Sequence, residues 1–408
     1  MYPAFFLFFD TKLDHARLTR ALSRVLQDFP MFAGSYDLGA DVIQISHATH
    51  GVLFEHELRS ESIAERERAA RAGQAKWLAP KLSFARVLRR RETLFAVKHT
   101  TASNGSALWI TWDHILGDMH SAMLFVRAWA AAYSDAAYVP PAQVFDRDVY
   151  LKEHMPNIRH ARSSVRVIPW STVARSVYWL GWPRKCINIE YSAQQLENIR
   201  NTLSTQRRVS INDAICAHLC VALRRISGLI DPTNLCLSVN YRKRVGIPDN
   251  VIGNLVTLIG QPVDEVDEPA EVAARLRTKL EEYNEKHVDY RASLRVFEAQ
   301  PRSQQTRVAS RYFEPGRGDL LITNWNNFGA YELCFDGASP VFYMPVSFGL
   351  ASPRPWCAIV YELPRKAGLG FSIGLTEALA ERIAKSEGQT LLSRDDAPAW
   401  APIRQALV

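Results

Sequence analysis

The sequence predicts an α/β protein built as two lobes. Three observations carry that prediction. The chain has 408 residues, more than one hydrophobic core usually serves. Short apolar or alternating runs of strand length are interleaved with amphipathic helical patterns along its whole course. Near the middle lies a proline-punctuated stretch where that periodicity weakens. With 47% hydrophobic and 22% charged residues the balance is that of an ordinary globular protein, which excludes wholesale disorder.

Tyr2 to Asp10 reads as a buried strand. Asp14 then opens an amphipathic helix with Leu18, Leu22, Val25, Leu26 and Phe29 on one face and Pro30 beyond its end. Strands are expected at Val42 to Ile45 and Phe84 to Leu88, with a polar helical stretch from Ile63 to Trp77 between them. Leu94 to Lys98 and Ala107 to Asp113 form two further strands joined through the Asn104-Gly105 turn signal. Met119 to Tyr133 is a strong helix with Met119, Ala122, Met123 and Val126 on its apolar side. Residues 1–150 are therefore assigned to the first lobe. Pro140-Pro141, Pro156, Pro169 and Pro183 mark a crossover, with the linker placed at 151–185. The second lobe, 186–408, begins with a strand at Cys186 to Tyr191 and a helix from Ala193 to Leu203. A helix from Asn212 to Ser227 is capped by Ser210 and stopped by Gly228. Strands at Leu235 to Asn240 and Leu255 to Leu258 precede a charged helix over Ala270 to His287. Strands at Leu320 to Asn324, Pro340 to Met344, Ala358 to Glu362 and Gly370 to Leu375 follow, and the last helix is Glu377 to Lys385, capped by Thr376.

A net charge of +7 and a pI near 9.1 fit a polyanionic partner, whether nucleic acid, an anionic membrane surface or a nucleotide-bearing cofactor. The basic residues are scattered; the densest run, Arg89-Arg90-Arg91, reads as a solvated face, and no nucleic-acid motif accompanies it. Six cysteines occur without CxxC spacing. Cys216 and Cys220 lie one helical turn apart around His218, but no second ligand pair follows, so no metal site is expected. Free buried thiols point to a reducing compartment, and a cytoplasmic location is expected. The apolar N-terminal run Tyr2 to Phe9 is too short to span a bilayer and lacks a basic leader and a cleavage site. No longer apolar run appears elsewhere, so no membrane span is expected.

The most informative segment is Trp109-Ile110-Thr111-Trp112-Asp113-His114-Ile115-Leu116-Gly117-Asp118. A strand runs into a short loop bearing a histidine, and a helix begins at once. His114 thus stands at the end of a rigid element, from which a base can reach a substrate. Histidine suits that task because much of it is neutral, and so proton-accepting, at physiological pH. Asp118 is placed to orient the loop. Spacing alone is weak evidence, since about half of chains of this composition would hold an HxxxD match by chance. On it alone, a plain loop histidine followed by a helix-capping Asp118 is the simpler reading.

Three further segments change that balance. Asn240-Tyr241-Arg242-Lys243-Arg244, with Pro248 and Gly253-Asn254 downstream, resembles the segment of BAHD acyltransferases that runs from an arginine pair through proline to GN. Ile322-Thr323-Asn324-Trp325, then Tyr331-Glu332, Phe335 and Pro340, is similar to the stretch leading into that family's DFGWG motif. Phe145-Asp146-Arg147 stands where the family has a short DR segment, and the ending from Ile359 to Lys385 also matches. The order is right and the likeness runs over nearly the whole chain.

The resemblance implies two chloramphenicol-acetyltransferase-like mixed-sheet lobes with the active-site channel at their interface. It implies that His114 takes the proton from an acceptor hydroxyl, or less readily an amine, which then attacks the thioester of an acyl-CoA without an acyl-enzyme. Asp118 would point away from the channel and pair with Arg242 to fix the loop. Thr323, Asn324 and Trp325 would lie along the CoA side, and Gly253 and Asn254 would form a structural turn near the same wall. Acyl-CoA is then a co-substrate, no permanent cofactor is needed, the acceptor is a small hydroxylated or amine-bearing metabolite, and the enzyme is expected to work as a monomer.

The departures from the family pattern are local. Met119 replaces the glycine that often follows the aspartate, and the DFGWG motif appears as Cys334-Phe335-Asp336-Gly337-Ala338. A second candidate for it, Ser347 to Leu350, has poorer spacing from Tyr331-Glu332. The chain starts at what resembles an internal strand of the family.

Other readings compete. Gly370-Phe371-Ser372-Ile373-Gly374 fits GxSxG, but Ser372 lies inside an alternating strand and no histidine follows His287, which argues against a serine hydrolase. The eroded DFGWG segment would suit a non-catalytic descendant, against which stand the intact His114, Asp118 and Arg242. A carrier-protein-dependent condensation enzyme usually has a second histidine directly before the first, and position 113 is aspartate. His99 and His120 are read as structural rather than as part of the site, and Trp109 or Trp112, or both, as core.

Overall fold

The computed structural model describes residues 2–392 except 38–41, 46–50, 75–78, 83–91, 143, 145, 156–162, 181–183, 287–289, 315–317, 347–355, 386–387 and 389–390. The strand expected over 84–88, the Arg89–Arg91 run, Phe145, Pro156, Pro183, His287 and the Ser347–Leu350 segment lie outside the described residues.

The first half of the chain contributes β1 (Ala4–Phe9), a small hairpin of β2 (Ser35–Asp37) and β3 (Val42–Gln44), β4 (Leu53–Leu58), β5 (Phe95–Thr101) and β6 (Ser106–Trp112). The second half contributes β7 (Val165–Val167), β8 (Arg184–Ser192), β9 (Asn234–Asn240), β10 (Val256–Pro262), β11 (Val308–Ser310), β12 (Asp319–Asn324), β13 (Phe342–Val346), β14 (Cys357–Glu362) and β15 (Gly368–Thr376).

Two mixed sheets organise the molecule. The first has the order β13-β1-β6-β5-β4. All six residues of β1 are buried, because it is hydrogen-bonded on both edges and covered on both faces, which explains its unbroken apolar run. Phe6 meets Trp109 edge-on at 4.5 Å, and Phe32 stacks on Phe125 of the helix Met119–Tyr133 at 4.2 Å. The second sheet has the order β10-β9-β12-β14-β15-β8, with β12 parallel to both neighbours and the other pairs antiparallel. The helices Ala193–Leu203, Ile211–Ile226 and Pro269–Lys286 pack against it around a second core.

The lobes interlock. β13 leaves the second half of the chain and pairs antiparallel with β1, with Met344 opposite Phe6. Trp325, Phe335 and Tyr361 likewise belong to the first core.

Some elements differ from the sequence reading. The polar stretch after Ile63 is helical only to Arg71, opened by a capping box between Ser62 and Glu65. The crossover is not irregular throughout. It holds the helices Arg147–His154 and Trp170–Leu180, and β7, which pairs with β11. β4 was not expected: LFEHEL lacks clean alternation because this strand lies at the sheet edge, where one flank and part of each face meet water. Among the described residues, no helix is long and apolar enough to cross a membrane.

Candidate active site

β6 is buried at all seven positions, held antiparallel between β1 and β5. Its rigidity carries into the loop that follows. The Trp112 indole N–H donates to the Gly117 carbonyl at 2.9 Å, so this tryptophan is both core and loop clamp. Trp109 is buried too. The Asp113 carboxylate accepts from the Ile115 amide at 3.1 Å, and its carbonyl accepts from the Leu116 amide at 3.0 Å. The helix then starts at Asp118, whose Oδ1 accepts from the Ser121 amide at 3.0 Å. Gly117 is required by close approach: a Cβ there would lie 2.6 Å from Ser121 Cβ and 2.7 Å from its Oγ.

Asp118 and Arg242 form a buried, two-pronged ion pair. Arg242 Nη1 donates to Asp118 Oδ2 at 2.7 Å and Nη2 donates to Oδ1 at 3.0 Å. Arg242 opens a single helical turn directly after β9, so the pair ties the first lobe's loop to the second lobe's sheet. Most of the remaining polar atoms are bonded as well. Nη2 donates to the Gly253 carbonyl at 3.0 Å, and Asp118 Oδ2 accepts from the Leu255 amide at 3.0 Å. Ser121 Oγ lies 3.1 Å from Nη2 and accepts from the Gly253 amide at the same distance. Both partners are buried, so the pair depends on this density of hydrogen bonds, and what it then supplies is orientation.

That clamp delivers the 253–255 segment to His114. Asn254 Nδ2 donates to the His114 carbonyl at 2.6 Å, and its Oδ1 sits 2.7 Å from His114 Nδ1. The carbonyl can only accept, which fixes the amide with its NH2 toward it and its oxygen toward the ring. Nδ1 therefore carries the proton, and Nε2 keeps its lone pair. Burial lowers the pKa of His114 below the ordinary histidine value, outweighing the hydrogen bond to Asn254 and the charge of Asp118, which act in the other direction. At neutral pH the ring is thus uncharged, with one tautomer held. Arg147 Nη1 donates to the Ile115 carbonyl at 3.2 Å, bracing the loop from the crossover side.

The other candidates fall in different places. Thr323 Oγ1 accepts from Ser238 Oγ at 2.9 Å. Asn324 lines a cavity of about 840 Å³ in the second lobe, together with Arg200, Arg208, Lys366 and the start of the helix Ile211–Ile226. Its Nδ2 donates to Asn212 Oδ1 at 2.7 Å, and its Oδ1 accepts from the Asn326 amide at 2.8 Å. Trp325 is buried in the first core, tilted against Trp112 at 6.1 Å. It therefore connects the cavity edge to the strand that leads into the His114 loop, without lining that cavity. His120 Nε2 is 2.7 Å from the Asp249 carbonyl, to which it donates, and His99 lies on β5 beside Ser106. Ser372 is buried inside β15.

The Cys334–Ala338 segment is a tight turn closed by a Phe335–Ala338 bridge. Phe335 packs edge-on against Phe9 and Trp129 at 5.5 and 5.7 Å, toward the end of the helix Met119–Tyr133 opposite Asp118.

From the sequence, Asn254 reads as a turn residue, and Ser121 carries no local signal of its role. The Gly253-Asn254 pair was visible, but its partner is 140 residues away.

Residues 3–354 match the model of a family described as the transferase family. No curated protein matches the chain. Several solved structures are similar. Vinorine synthase is 18% identical with a TM-score of 0.70, covering 96% of this chain and 91% of that one. TRI101 of F. graminearum, complexed with coenzyme A and T-2 mycotoxin, is 14% identical with a TM-score of 0.73, covering 96% and 95%. The first condensation domain of the CDA synthetase is 14% identical with a TM-score of 0.60, covering 98% and 92%. At such identities the likeness establishes the fold, which is the two-lobed, chloramphenicol-acetyltransferase-like architecture expected from the sequence.

Proposed function

The chain belongs to the BAHD-type transferase family, and from that premise we propose that it moves an acyl group from acyl-CoA to a hydroxyl of a small metabolite, with His114 as general base. The observation that carries this reading is the two-point grip of Asn254 on His114, which leaves Nε2 as the one ring nitrogen able to accept a proton. In the proposed reaction Nε2 takes the proton of the acceptor hydroxyl as its oxygen attacks the thioester carbonyl. The tetrahedral intermediate collapses with cleavage of the C–S bond, and the imidazolium proton passes to the departing thiolate. Both substrates meet at one base, so no acyl-enzyme is needed.

The preference for a hydroxyl over an amine follows from the base. An alcohol oxygen is a poor nucleophile until its proton leaves, whereas a neutral amine attacks unaided and gives up its proton afterwards. The donor is assigned from the second-lobe cavity. Arg200, Arg208 and Lys366, which share the lining with Glu197, Glu281 and Glu362, offer positive charge for the phosphates of CoA. TRI101, of the same fold, is complexed with coenzyme A.

The test is release of free thiol from a panel of acyl-CoAs, scored with and without a pool of hydroxylated and amine acceptors. The same acyl groups are offered in parallel on a pantetheinylated carrier protein. Release from acyl-CoA that depends on a hydroxylated acceptor is expected. Turnover only from the carrier-bound donor, or only with amines, would overturn the corresponding part of the proposal.

A further inference from the structure

Three histidines far apart in sequence meet on the first lobe, outside the His114 site. β4 and β5 run parallel in a register that sets His56 opposite His99, so both side chains leave the same face of the sheet. His15, the first residue of the helix His15–Asp28, lies over them. The rings form a near-parallel stack, with His15 and His56 4.2 Å apart at 9° and His56 and His99 4.8 Å apart at 14°. His99 pairs across the sheet with Leu108, six residues before His114. The cluster is therefore separate from the catalytic loop.

We propose that His15, His56 and His99 form a binding site for a divalent transition-metal ion of the zinc type, which pins the edge strand β4 to the helix His15–Asp28 and to β5. One ligand atom from each residue lies within 4.8 Å of the others. His15 Nδ1 and His99 Nδ1 are 3.4 Å apart. Two nitrogens bound to a tetrahedral zinc at about 2.0–2.1 Å are separated by about 3.4 Å, so this pair already has the required span. The opposite nitrogens are engaged by hydroxyls: His99 Nε2 is 3.2 Å from Ser106 Oγ, and His56 Nε2 is 3.0 Å from Thr101 Oγ1. Ser106 Oγ also accepts from the Leu13 amide at 2.9 Å. A hydroxyl on Nε2 leaves Nδ1 as the ligand atom and orients the ring, the usual arrangement behind a metal-bound histidine.

The stack must open for binding, since a metal sits in the plane of each ring that holds it. His56 is exposed and His15 half-buried, so these two can turn about their Cβ–Cγ bonds while buried His99 stays fixed. Their exposure also gives the ion a path in, and a water would complete a three-histidine coordination shell. Burial, then the neighbouring His56 and His15, push the His99 pKa down to about 3, and burial followed by His15 lowers that of His56. A neutral imidazole is the form a metal needs. The expectation of no metal rested on cysteine spacing, which has no bearing on three histidines brought together by sheet register.

The test uses chelator-stripped full-length protein titrated with Zn2+ by calorimetry and with Co2+ by absorbance. A double variant, His15→Asn with His56→Asn, is treated identically; both positions are accessible, so the core around His99 is left intact. One equivalent of Zn2+ should bind the wild type and raise its melting temperature. The double variant should bind roughly tenfold or more weakly and lose the thermal shift. Absence of saturable binding, unchanged binding in the double variant, or a thiolate charge-transfer band with Co2+ would each overturn the proposal.

Discussion

The Asn254 side chain holds His114 at both ends, with Oδ1 2.7 Å from the ring Nδ1 and Nδ2 2.6 Å from the backbone carbonyl. One amide thereby sets the tautomer of the imidazole and the position of its backbone, and so of the proposed base. Replacing it by alanine should leave the fold intact, because Asn254 is exposed, yet lower kcat about tenfold to a hundredfold as the ring loses its tautomer bias. The KM for acyl-CoA should move little, which separates a positioning role from a binding one. An equal loss in KM with kcat preserved would contradict it.

The pH dependence follows from the same geometry. Burial lowers the His114 pKa below the usual value of about 6.5. The base works when neutral, so kcat/KM should rise as pH increases through that lowered pKa and be level at pH 7–8. Asn254→Ala removes a hydrogen bond that raises the pKa, and should move this limb to lower pH. Asn254→Asp places a carboxylate on Nδ1 and should move it to higher pH. Profiles of the three proteins with one substrate pair test both signs.

The Asp118–Arg242 pair is predicted to matter more for stability than for chemistry. Side-chain exposures of 5% and 1% mean that deleting one partner leaves the other charge buried. Arg242→Met should cost about 3–5 kcal/mol, read from urea denaturation. Arg242→Lys should recover only part of it, since an ammonium cannot reproduce the two-pronged contact. A lysine variant as stable as wild type would show that charge alone suffices.

Gly117 gives a steric test. Alanine there brings a Cβ to 2.6 Å from Ser121 Cβ, part of the first turn of a buried helix that cannot step aside cheaply. A loss of about 1–3 kcal/mol is expected, together with a fall in kcat as the loop that carries His114 shifts. The same denaturation and rate measurements on Gly117→Ala decide it.

Much of this architecture is legible in the sequence because it rests on local signals. β1 is an uninterrupted apolar run, the helix Met119–Tyr133 is apolar around most of its circumference, and Ser210 with Asp213 writes out a capping box. The elements that were not legible depend on distant partners. β4 carries Glu55, His56 and Glu57 because it is an edge strand, and nothing local marks it. The two helices of the crossover are short, and prolines nearby mask their period. His114 stood out for its strand–loop–helix setting, and Arg242 entered through a resemblance. Asn254 as the partner of the imidazole, and the meeting of His15, His56 and His99, are products of tertiary register that no window of sequence contains.

The central claim is that the Nε2 lone pair of His114 is the base. Its most direct test is the acceptor-dependent thiol-release rate of His114→Ala against wild type, on whichever acyl-CoA and acceptor pair turns over best, with both proteins verified as folded by their melting curves. A fall of about a thousandfold is expected. A variant that stays within tenfold of wild type would contradict it and move the proton transfer to another residue or to water.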